Sequence, residues 1–112
     1  MLTVQSLKEL GVNTDEGLAR CLNNEAFYFR LIGMALNDGA YDSLRAALDA
    51  GDTRAAFEET HKLKGMLANL ALTPILDPVS KLTEILRNDQ EGDREALFAE
   101  IIKQRNALLA ML

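Results

Sequence analysis

The apolar residues of this chain recur every three or four positions in one segment after another, and only a few breaker residues separate the segments. That pattern makes amphipathic helices, and such short breaks leave successive helices little choice but to fold back on one another. Thr3 to Leu10 carries Val4, Leu7 and Leu10 at three-residue spacing; Gly11 stops it, and Asn13 or Thr14 can cap a second short helix. From Asn24 to Asn37, Phe27, Leu31 and Met34 form one stripe with Tyr28, Ile32 and Ala35 beside it, a wide apolar face suited to burial. Asp38-Gly39 breaks this first long helix, and Tyr41, Leu44 and Leu48 mark the next segment before Gly51-Asp52, a stop followed by an N-cap.

The stretch from Asp52 to about Leu72 holds Ala56, Thr60, Leu63, Leu67 and Leu70 on one helical stripe, and is predicted as the central helix. Thr73-Pro74 and Asp77-Pro78 are both cap-plus-first-turn pairs. The next helix starts at one of them, with the second more comfortable because Pro78 inside a helix removes a hydrogen bond. Gly92-Asp93 opens a last helix in which Phe98, Ile101, Ile102, Leu108, Leu109 and Leu112 share a face. The predicted fold is all-α, an antiparallel up-down bundle preceded by two short N-terminal helices, and the whole of 1–112 is read as a single domain, since 48% hydrophobic residues suffice for one core.

Charge narrows the function. Twelve Lys and Arg against seventeen Asp and Glu give a net charge of -5, which disfavours nucleic acid and favours a protein partner. A single Cys and a single His make neither an internal disulfide nor a zinc set, so no metal and no cofactor is expected. The N-terminus shows no basic stretch followed by a long apolar run, and no segment reaches the roughly 20 apolar residues of a membrane span. The chain therefore reads as a cytoplasmic monomer in a reducing compartment.

Chemistry concentrates on the central helix. At 100° per residue His61 points roughly 140° away from the centre of the apolar stripe, toward solvent. Lys64 and Gly65, three and four residues on, share its surface, and Phe57 and Glu58 flank it one turn earlier. An imidazole is a competent nucleophile near neutral pH, so His61 can accept a phosphoryl group. The ammonium of Lys64 offsets the charge on that group's oxygens, and Lys62 adds a weaker contribution. Gly65 costs about 1 kcal/mol against Ala in a helix. On the outer face, no core packing calls for it; the close approach of another molecule does.

The string Thr60-His61-Lys62-Leu63-Lys64-Gly65, followed by Ala68-Asn69-Leu70, resembles the phosphorylation motif of histidine phosphotransfer domains. Gly11-Val12-Asn13, Gly17-Leu18-Ala19-Arg20 and Ala26-Phe27-Tyr28 are similar to that family's lead-in, so the resemblance covers the N-terminal two-thirds, with the last two helices fitting by pattern only. The resemblance implies a four-helix bundle with accessory helices, phosphorylation on His61, and a site shaped by Lys64 and Gly65. Its implied partners are aspartate-bearing receiver domains of response regulators or hybrid histidine kinases. Around the motif, Glu58 and Ala68 are candidate partner contacts; Phe57 is either a docking contact or a partly buried flank residue, Lys62 either a contact or a solvated charge, and Asn69 either a contact or a tolerated polar surface position. The chain departs from the family pattern at Thr60, usually alanine, and at Ala71, where glycine often follows the leucine. Without a Gly-rich nucleotide loop, a phosphocarrier rather than a kinase is expected. Two other readings remain open: a helical adaptor that docks a signalling partner without phosphotransfer, and a Cys21-His61 hydrolase, which needs those side chains within hydrogen-bond reach.

Overall fold

The computed structural model describes residues 2–90 and 92–112. Seven helices lie within them: α1 (Val4–Glu9), α2 (Thr14–Arg20), α3 (Glu25–Leu36), α4 (Ala40–Asp49), α5 (Thr53–Asn69), α6 (Thr73–Arg87) and α7 (Arg94–Leu109). Short polar side chains start most of them. Thr3 and Ser6 form a reciprocal capping box on α1, and Asn13, Asn24, Asp52 and Asp93 each accept a backbone N–H three residues on. Of the two caps proposed for α2, Asn13 serves; Thr14 is buried behind it.

Five long segments make a bundle of four arms because α3 and α4 run in series. Ascending positions on α5 meet descending positions on this pair: Leu70 accepts from the Tyr28 hydroxyl at 2.8 Å, Lys62 pairs with Asp38 at 3.6 Å, and Ala56 adjoins Ala47. The same holds for α7, where Glu95 pairs with Arg45 at 2.7 Å and Arg105 donates to the Leu36 carbonyl at 2.7 Å. Asp38 makes the joint by accepting the Ala40 N–H at 2.8 Å, so the chain changes helix without reversing direction. With three-residue turns on either side of α5, the arms are antiparallel neighbours, as predicted.

The core draws on α1 and on α3 to α7, with Leu7, Ile32, Leu36, Leu44, Leu63, Leu67, Ile75, Leu82, Ile101 and Leu108 fully buried, and partly buried Leu18 of α2 packs against it. Three expectations need correction. First, α3 buries Tyr28, Ile32 and Ala35, but Phe27 and Met34 remain 42% and 60% exposed, because α5 and α7 cover only part of its apolar circumference. Second, of the two starts open for α6 the Thr73-Pro74 pair serves, and Pro78, at the more comfortable of the two, lies inside the helix. The backbone amide lost there falls near the start of the helix, while the Pro78 ring is buried in the core. Third, α5 ends at Asn69, and Leu112 lies exposed beyond α7. The break after α5 is a left-handed turn at Ala71 (φ 55°), with Leu72 N–H bonded to the Leu67 carbonyl.

Candidate functional site

Helix α5 carries its apolar side, Ala56, Thr60, Leu63 and Leu67, into the core, so its opposite side faces out. His61 stands near the middle of that outer side and is exposed, as its angular position predicts. Thr60, where the motif usually has alanine, is fully buried, and its hydroxyl donates to the Phe57 carbonyl at 3.0 Å, which removes the cost of burying it.

Around His61 the charges divide into paired and unpaired. Lys62 leans toward α3 and pairs with Asp38; Glu58 pairs with Arg54 at 3.5 Å, and Arg87 of α6 pairs with Glu84. Lys64, partly buried, enters no ion pair among the described residues. Gly65 is exposed, and a Cβ built on it meets nothing within 4 Å. A helical position with open space above it has no packing reason to lack a side chain.

The flanks of this face differ. Toward α6, the half-buried Phe57 ring stacks on the imidazole at 5.7 Å between centroids, and the Arg87 guanidinium lies 5.6 Å from the same ring. Toward α3 runs an apolar groove lined by Leu31, Met34, Asp38, Met66 and Asn69, with exposed Phe27 on the same outer stripe of α3 as Leu31 and Met34. Asn69 thus sits at a groove edge. Ala68 is partly buried, and its carbonyl accepts a hydrogen bond from Arg20 of α2. Cys21, the C-cap of α2, is 1% exposed within the core, whereas His61 faces solvent; no thiol–imidazole pair forms among the described residues. No cluster of three or more metal-ligating side chains occurs among them either.

Comparison with known families decides the assignment. The family model of the Hpt domain matches residues 37–112. The chain belongs to the Hpt family. Histidine phosphotransfer in phosphorelays is the function of Hpt domains in general: they are phosphocarriers rather than kinases, and they interact with receiver domains. The match takes in α4 to α7, including the two last helices that the sequence motif did not reach, and leaves the N-terminal lead-in outside. No curated protein and no solved structure matches the chain. No helix among the described residues is long and apolar enough to cross a membrane.

Two features of this face are not evident from the sequence: the exposed half of the α3 stripe, which its periodicity assigns to the core, and Arg87, which comes from a different helix. For the first a signal existed, since the apolar face of α3 is wider than one or two neighbouring helices can cover.

Proposed function

We propose that this Hpt chain relays a phosphoryl group between aspartate-bearing receiver domains through His61, as a cytoplasmic, monomeric, single-domain phosphocarrier. The observation that carries the proposal is the imidazole itself: exposed at mid-helix, beside an ammonium that enters no ion pair among the described residues, and below open space over Gly65.

The chemistry needs little else. A lone pair on an imidazole nitrogen attacks the phosphorus of an aspartyl phosphate in line; the N–P bond forms as the P–O bond breaks, and the receiver's carboxylate leaves with the electron pair. The reverse transfer follows the same path. Lys64 stabilises the charge on the phosphoryl oxygens, one turn along α5 from the imidazole. Gly65 lets the receiver's active-site edge come close. Glu58, Lys62, Ala68 and Asn69 surround the contact, and the stripe of exposed Phe27 and Met34 with partly buried Leu31, together with its groove, gives the receiver an apolar surface to cover.

The test is labelling by a panel of phosphorylated receivers drawn from response regulators and hybrid kinases. The labelled product is expected to be acid-labile and comparatively base-stable, as a phosphoramidate is. His61→Gln should abolish labelling while changing stability by less than about 0.5 kcal/mol, as for other exposed substitutions. Lys64→Ala should slow labelling roughly tenfold with little loss of stability. Labelling that persists in His61→Gln removes the assignment, and docking without labelling of the wild type favours the adaptor.

A further inference from the structure

An exposed imidazole is free to sample several χ1 and χ2 wells, whereas in-line attack on phosphorus requires one nitrogen to point in one direction. A hydrogen bond to the ring fixes its direction but occupies a nitrogen. Stacking on the ring's face leaves both nitrogens, which lie on the edge, free to react.

Phe57 supplies such a face. It precedes His61 by one helical turn, where side chains meet, and the two rings lie 5.7 Å apart with 29° between their planes. Unlike the imidazole, the phenyl ring is braced. It is half-buried, packs against the core, shares a surface hollow with Leu86 of α6, and has the Arg87 guanidinium 5.6 Å from its centroid. Arg87 is held in turn by Glu84 on its own helix. The chain of contacts therefore runs from α6 through Phe57 to the reactive ring.

We infer that Phe57, braced by Arg87, is a positioning residue for His61: its face holds the imidazole in one rotamer with the ring edge turned toward the incoming phosphorus. This rests on His61 being the phosphoryl acceptor proposed above, and it gives Phe57 a task distinct from docking. The stack is compatible with both the free and the phosphorylated ring, because the N–P bond lies in the imidazole plane. Lys64 acts on the transferred group, and Phe57 acts on the nucleophile.

His61 is the chain's sole histidine, so its ring C–H signals in a proton NMR spectrum are unambiguous. In the unphosphorylated wild type they should be shifted by the Phe57 ring current. Phe57→Leu, which keeps apolar bulk but has no face, should abolish that shift, and Phe57→Tyr should restore it. In single-turnover transfer from a phosphorylated receiver, Phe57→Leu should lower the saturating rate about fivefold, the scale of ordering one side chain. The receiver concentration for half-saturation should stay unchanged, and Phe57→Tyr should recover the rate. Arg87→Gln, at an exposed position, should produce about a twofold loss of the same kind, and it carries the test if Phe57→Leu folds poorly by circular dichroism. Unchanged resonances in Phe57→Leu overturn the inference, as does an unchanged saturating rate. A raised half-saturation concentration at full saturating rate also overturns it and makes Phe57 a docking residue. If no receiver labels wild-type His61, the phosphocarrier reading falls and the role of Phe57 falls with it, while the ring-current shift still shows separately whether the stack exists.

Discussion

Two glycines inside helices mark opposite regions of this molecule. Gly17 in α2 is buried, and a Cβ there would overlap the Tyr28 ring, 2.5 Å from its Cζ. That ring is fully buried, its hydroxyl donates to the Leu70 carbonyl at 2.8 Å, and burial pushes its pKa up to about 12. The glycine thus lets α2 close over a tyrosine that ties α3 to the end of α5. Gly65 in α5 is exposed with open space above it. Both positions give up about 1 kcal/mol of helix propensity. At the α2–α3 corner packing offsets that cost; on the outer face of α5 nothing within the chain does. A residue that weakens its helix without improving the packing points to something outside the chain.

The contrast breaks most visibly at the corner. Gly17→Ala gains helix propensity but must displace the Tyr28 ring, with overpacking costs of about 1–3 kcal/mol and strain on a buried hydrogen bond. A net loss of about 2 kcal/mol is expected in urea denaturation, with phosphoryl transfer per folded molecule unchanged. A variant as stable as the wild type means that the corner has room the contact geometry denies. The outer face should respond in the opposite sense. Gly65→Leu is expected to keep or raise stability, by up to about 1 kcal/mol, while transfer from a phosphorylated receiver falls roughly tenfold. If its transfer rate is normal, Gly65 does not serve access and the two glycines differ less than their surroundings suggest.

Helix positions and the exposure of His61 were legible in the sequence because both depend on local rules, caps and angular spacing, that need no knowledge of the partner helix. What was not legible depends on distant residues. Periodicity shows that α3 has a wide apolar face but not that its neighbours cover only the Tyr28, Ile32 and Ala35 side. It places a break at Asp38-Gly39 without telling a reversal from a joint, and the Asp38 cap on Ala40 and the Asp38–Lys62 pair decide for a joint. Pro78 sits inside α6 with its ring buried, a packing role that the pattern of its own helix does not signal. The need for Gly17 and the Phe57–Arg87 contact arise from residues far apart in the chain, where no short spacing signals them.

The smallest effect concerns a position that lacks a glycine where the backbone favours one. Leu22 follows the end of α2 with φ 59°, in the left-handed region, while the Asn23 N–H reaches back to the Leu18 carbonyl at 2.8 Å, the bond that closes this type of helix terminus. A left-handed conformation costs a side-chain-bearing residue roughly 1–2 kcal/mol, and Leu22, 86% exposed, recovers almost none of it through burial. Glycine removes that strain but adds entropy to the unfolded chain, worth about 0.5–1 kcal/mol against it. Leu22→Gly should therefore stabilise the protein by about 0.5–1 kcal/mol, a rise of a few degrees in Tm for a chain of this size. The change lies next to the Gly17 corner but touches neither Tyr28 nor Leu70, so it separates backbone strain from packing there. A Tm that falls instead shows that Leu22 packs in solution. A raised Tm with slower phosphoryl transfer marks the leucine as part of the surface a receiver covers, kept at the expense of the helix end as Gly65 is at the expense of the helix middle.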